Sequence, residues 1–253
     1  MIRALYELAR SQVLVVATRS VNLATDVVTP LLLMSLLVLP RIERLTPREA
    51  TGVVTGVLLA SFWGASLWSG AGILRRERWF GTLGPSFTGR HGAVTVLMGK
   101  TLGGVVYDVG VIGLSTVAFV MAAGVRLEVR APAAFALGLL AVVVCGVASS
   151  LLIGAALMLS RYAFQLTTAL GTPVLLLGGT IIPHDVLPSW IGTVGNVVNL
   201  AWLQRFMVST ATVPDWSALG AALAVSVGYA AAGVWCVRVM LRRARREATL
   251  ELA

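Results

Sequence analysis

The sequence predicts an all-α integral membrane protein, with six transmembrane helices preceded by an N-terminal amphipathic interfacial helix. Three observations predict it. Charged residues make up 12% of the 253-residue chain and hydrophobic ones 57%, with a mean hydropathy of +0.88. A water-soluble domain carries about 25% charged residues to clothe its core. Six apolar stretches reach the length of about 20 residues that crossing the hydrocarbon requires. Finally, Arg and Lys fall unevenly on the two sides that those stretches define.

Taken in order, residues 1–20 mix Leu5, Leu8, Val13 and Val16 with Arg3, Glu7, Arg10 and Arg19. That pattern suits a helix lying along a membrane surface, and its early charges interrupt any cleavable signal peptide. The spans are expected at 21–39, 51–73, 94–123, 133–160, 164–182 and 217–240. The third and fourth exceed the necessary length, so tilt or a projecting turn is expected there. The longest hydrophilic pieces, 74–92 and 183–216, are too short to house a nucleotide-binding or catalytic domain. The whole of 1–253 therefore reads as a single transmembrane domain.

With both termini in the cytoplasm, fourteen of the twenty basic residues lie on the inner side. The outer six are Arg41, Arg44, Arg48, Arg126, Arg130 and Arg205. This bias also explains the net charge of +9, and no nucleic-acid-binding module or zinc spacing accompanies it. Cys145 and Cys236 lie in apolar runs without a C-x-x-C partner and read as small buried hydrophobes.

Few residues suggest chemistry. Gly99-Lys100-Thr101 ends like a phosphate-binding loop, but Val94 stands where its first glycine belongs and no strand precedes it. Lys100 reads instead as a lysine reaching for the cytoplasmic interface. His91 and His184 fall on opposite sides of the membrane, so they cannot share a metal or a triad. Ser149 and Ser150 on the fourth span read as hydrogen-bonding groups between helices. Asp26 and Asp108 lie within spans, where a charge is costly and marks a candidate for the translocation path. A structural cap or salt link is equally open for each. Small residues are dense in the second, third and fifth spans, with Gly52, Gly56, Ala60 and Gly64 in one stripe at helical spacing. The stripe suits static packing or a seam with a second subunit.

The segment Arg76-Glu77-Arg78-Trp79-Phe80-Gly81-Thr82-Leu83, followed by Gly99-Lys100, resembles the coupling region of type-2 permeases of ATP-binding-cassette transporters. That family carries R-E-R-x-x-G-T-L after its second span and a Gly-Lys near the start of its third. Gly178 to Trp190 resembles the family's S-G-x-x-x-P-x-x-x-L-P-x-W, and Asn199 to Arg205 more loosely its N-P-x-x-x-x-x-x-R. The acidic residue usual after G-T-L is Gly84 here, and the proline usual after Asn is Leu200. The resemblance covers nearly the whole chain.

The resemblance implies an export permease in a bacterial cell membrane, forming the path for a hydrophobic or amphipathic substrate such as an antibiotic or peptide. Two copies of a cytoplasmic ATPase would bind ATP and Mg, this chain holding no cofactor of its own. A second permease, identical or homologous, would complete the path. Arg76 to Leu83 would be the coupling helix that docks into the ATPase, and residues 1–20 the connecting helix beside it. Ile182, Pro183, Leu187, Pro188 and Trp190 would form short re-entrant outer helices that gate the path between spans five and six. Aromatic residues are only 7% of the chain, without a row along the spans, which favours small molecules over lipid-linked polysaccharides. An ion-gradient transporter would want an internal repeat, and none is evident. A scaffold would have no use for a coupling motif.

Overall fold

The computed structural model describes residues 2–67, 72–73, 76–77, 81, 92–159, 163–179 and 189–247. Within these the secondary structure is helical, with no strand. The helices are α1 (Ile2–Ala17), α2 (Ser20–Leu37), α3 (Pro47–Ala65), α4 (Ala93–Ala123), α5 (Pro132–Leu159), α6 (Ala163–Leu177), α7 (Ser189–Gly195), α8 (Asn199–Ser209) and α9 (Trp216–Glu247). A 3-10 turn at Leu39–Arg41 follows α2.

Local sequence explains several of the helix ends. Thr46 caps α3 in a capping box: its hydroxyl accepts from the Glu49 amide while the Glu49 carboxylate accepts from the Thr46 amide. Those bonds hold the exposed Glu49 carboxyl below its ordinary range. Gly124 ends α4 in the left-handed region at φ 66°. Its amide donates to Met121 and that of Val125 to Val120, the paired bonds of a Schellman motif that glycine alone forms without strain. Asp215 opens α9 by accepting from Ser217 Oγ and the Ala218 amide, which keeps its carboxyl low, with Arg205 nearby adding to the effect.

Four helices are long and apolar enough to cross a membrane: Ser20–Arg41, Ala93–Ala123, Pro132–Leu157 and Trp216–Met240. Each keeps large apolar side chains on its outside, including Leu36, Leu114, Met121, Leu140 and Val227. Such exposure is expected where lipid is the solvent. The expectation of six spans is thus met by four among the described residues. Its second span corresponds to α3, which has 19 residues, and its fifth to α6, which has 15. Both run toward segments (68–71 and 180–188) outside the described residues.

The reason α3 differs from the rest is its place. It buries every residue from 54 to 63, as a helix that is apolar all round must. It packs against α2, α4, α6 and α8. Around it, Leu59, Phe62, Ile112, Val142, Leu203 and Phe206 belong to one continuous core shared by α3, α4, α5 and α8, to which α9 adds Ala218 and Ala222. Smaller clusters close the two ends. Met34, Val38, Val54 and Val57 pack at one, and Ala93, Leu97, Leu151, Ala155, Val237 and Met240 at the other.

The hydrophilic piece expected over 183–216 contains α7 and α8. Helix α8 inside it is part of the core, with Leu200, Leu203, Phe206 and Met207 buried. Asn199 fixes it there: its side-chain amide donates to Ser149 Oγ (3.0 Å), Ser226 Oγ (3.0 Å) and the Cys145 carbonyl (3.3 Å). Ser150 bonds the Ser66 carbonyl, so both serines of α5 join helices, as their sequence context suggests. Cys145 and Cys236 are free thiols.

Three chain connections meet at one end of the bundle. The Thr51 hydroxyl on α3 bonds both backbone groups of Glu128 in the α4–α5 link. The amides of Arg130 and Ala131 in that same link donate to the Thr210 carbonyl in the α8–α9 link. The α2–α3, α4–α5 and α8–α9 connections therefore share one face of the molecule.

Candidate functional site

At the opposite end, two elements converge on the first turns of α4. Helix α1 buries Ala4, Gln12 and Val16 and turns Arg3, Glu7 and Arg10 outward. Its buried side presses on two glycines of α4. A methyl group at Gly99 would stand 2.7 Å from Leu8 Cβ, and one at Gly103 would run into the Ala9 backbone. Only the absence of side chains permits this approach. The expected amphipathic N-terminal helix is present, and one of its faces is spent on α4.

Between those glycines in sequence lies Lys100. Its ammonium forms an ion pair with the Glu77 carboxylate, in which the Lys100 and Glu77 side chains are 21% and 12% exposed. The pair ties the Arg-Glu-Arg segment to α4. Of the expected coupling residues, Arg76 and Glu77 are helical and half-buried and Gly81 is exposed with φ 66°. Arg78, Trp79, Phe80, Thr82 and Leu83 lie outside the described residues. Sequence reasoning quoted Glu77 and Gly99-Lys100 in one motif but missed that the two halves touch. Their opposite charges were the available signal.

A second feature lies farther along the same helix. A cleft of about 450 Å³ opens between α2, α3 and α4, lined by Asn22, Thr25, Asp26, Pro30, Ser61 and Ile112 among others. Asp26 is 7% exposed and Ser61 is buried. Asp26 Oδ2 and Ser61 Oγ accept or donate no hydrogen bond among the described residues. The Thr25 hydroxyl is turned back to the Val21 and Asn22 carbonyls. Asp108 is fully buried on α4, one turn before Ile112, and does not line the cleft. Tyr107 lies within electrostatic reach of both carboxylates. The structure thus gives the cleft Asp26 and leaves Asp108 out of its lining.

Of the expected outer gate, Ile182, Pro183, Leu187 and Pro188 lie outside the described residues. Trp190 falls in the first turn of α7, and α7 and α8 are two short helices between α6 and α9. Among the described residues no group of three or more His, Cys, Asp or Glu could hold a metal ion.

The sequence model of the ABC-2 type transporter family matches residues 4–211, from α1 to just past the end of α8. The chain belongs to that family. No curated protein and no solved structure matches it. The protein is accordingly the permease subunit of an ABC-2 type transporter, a multi-pass membrane protein and a transport subunit with no catalytic role of its own. Gly99-Lys100-Thr101 in the permease is helical, with Thr101 buried and Lys100 engaged by Glu77. Neither side chain has the loop setting in which phosphate is cradled. The match ends before α9, yet α9 packs along α5 so closely that Gly233 abuts the Leu151 backbone.

Proposed function

We propose that the permease exports a hydrophobic or amphipathic small molecule or peptide, driven by ATP hydrolysis on two copies of a separate cytoplasmic ATPase. A second permease, identical or homologous, completes the path. The protein resides in a bacterial cell membrane with both termini in the cytoplasm. Residues 76–83 dock into the ATPase, and residues 182–190 cap the outer end of the path.

The observation that supports this reading best is the Glu77–Lys100 pair. It fastens the segment expected to meet the ATPase to the helix that also walls the cleft. From Lys100 to Ile112 is about 18 Å along α4, so ATPase contact and substrate path sit on one continuous helix. A partly buried ion pair holds its partners in register, and removing one of them strands the other charge.

Substitution Glu77→Ala tests it. ATP-dependent uptake of substrate into inverted membrane vesicles should fall by about tenfold or more, with the permease still inserted and still carrying its ATPase. Full efflux in that variant would refute the coupling role.

A further inference from the structure

We propose that the cleft between α2, α3 and α4 is a binding site for the protonated amine of a cationic amphipathic substrate, with Asp26 as its counter-ion. The inference rests on the export reading and narrows its substrate class.

The argument begins with an imbalance. A carboxylate shielded from water and given no donor is among the costlier arrangements a protein can keep, and within a membrane span more so. Asp26 comes close to such a group: the residue is 7% exposed, and its Oδ2 is buried and accepts no hydrogen bond among the described residues. No Lys or Arg lines the cleft among those residues. Tyr107 and Asp108, on the turn of α4 before Ile112, bring a phenol and a further acidic side chain rather than a cation.

A second polar atom in the same wall is also unpaired. Ser61 Oγ on α3 lines the cleft, buried and without a hydrogen-bond partner among the described residues. An ammonium group carries three donors and no acceptor. It can give one to Asp26 Oδ2 and one to Ser61 Oγ, satisfying both orphans at once. The remaining wall combines the polar Asn22, Thr25 and Thr29 with the apolar Val21, Pro30, Ala65 and Ile112, and the apolar part would receive the hydrocarbon. The volume of about 450 Å³ falls in the range of small-molecule sites, about 300–1,000 Å³. Gly64, which also lines the cleft, has no neighbouring element among the described residues within 4 Å of where a side chain would begin.

Two fluorescent probes that differ only in charge decide the matter: a dansyl amide bearing a free primary amine on a pentyl chain, and the same compound N-acetylated. Their equilibrium binding is read on the full-length permease in lipid nanodiscs without nucleotide. The amine should bind about tenfold tighter than its acetylated form, as a charge-assisted hydrogen bond supplies. Asp26→Asn should erase that preference and Asp26→Glu keep it. Equal binding of the two probes to the unaltered permease, or a preference that survives Asp26→Asn, overturns the proposal. Should Asp26→Asn not fold, Gly64→Phe serves instead. It fills the cleft from an open position and should abolish saturable binding of the amine, and unchanged binding there overturns the proposal equally. The two readings fail separately. Full efflux by Glu77→Ala removes the coupling role, whereas a missing charge preference in a permease whose efflux depends on Glu77 removes only the cationic site.

Discussion

Lys100 and Asn199 show what single side chains contribute to this permease. Lys100 reads from sequence as a lysine reaching for the interface, and that reading is half correct. The side chain leaves α4 but ends on Glu77 rather than in solvent. Periodicity places a lysine on a helix; it cannot supply the partner, which comes from another segment 23 residues away. Asn199 is the converse case. Its segment resembles a family motif only loosely, yet it is the side chain that joins α5, α8 and α9. Nothing in its sequence neighbourhood marks it, because its partners Cys145, Ser149 and Ser226 lie on two distant helices. Replacing it by alanine should destabilise the permease by about 1–2 kcal/mol. The expected reading is a lower midpoint in thermal unfolding in detergent, with Ser226 still able to bond the Ala222 carbonyl.

Among the helices, glycines separate into two kinds that the sequence presents alike. The stripe of Gly52, Gly56, Ala60 and Gly64 on α3 suggests a seam, but Gly52 and Gly64 have open space where a side chain would begin. The tight contacts lie elsewhere: α1 on Gly99 and Gly103, the Phe62 ring on Gly146, and the α5 backbone on Gly233. Spacing reveals that a helix has a smooth face; which neighbour uses it depends on tertiary packing. The pair Gly103→Ala and Gly52→Ala tests the distinction by thermal unfolding. The first should cost about 1–3 kcal/mol, since the Ala9 backbone has to move, and should loosen α1 from α4. The second should stay within about 0.5 kcal/mol, because its carbonyl can still accept from Gln204. The helices themselves were the legible part. The third, fourth and sixth expected spans coincide with α4, α5 and α9 to within one residue at most ends, although α9 continues to Glu247. Hydropathy marked α3 as well, as the second expected span, but passed over α8, whose apolar residues are shielded by protein.

At the scale of the molecule, the convergence of three connections on one face gives the charge bias a structural counterpart. All six arginines assigned to the outer side lie in or beside those connections, and two of them are paired, Arg130 with Glu128 and Arg205 with Asp215. In sealed right-side-out vesicles, single cysteines at Arg44, Glu128 and Thr212 should therefore react with a membrane-impermeant thiol reagent. Cysteines at Arg3 and Arg242 should react only after permeabilisation. Labelling of Glu128 and Arg3 from the same side would refute the arrangement. Helix α4 gives this layout a mechanical meaning. It is one helix of 31 residues without a proline, about 46 Å from end to end. Its first turns are gripped by α1 and Glu77, and its last turns pack with Val120 and Phe119 beside the end cluster of α2 and α3. A stiff bar held near one end is a lever: a tilt of about 5° at the grip carries the far end of a bar this long through about 4 Å. A displacement at the gripped end too small to rearrange any contact there is thus enough, by geometry alone, to shift the far end by about the width of a side chain.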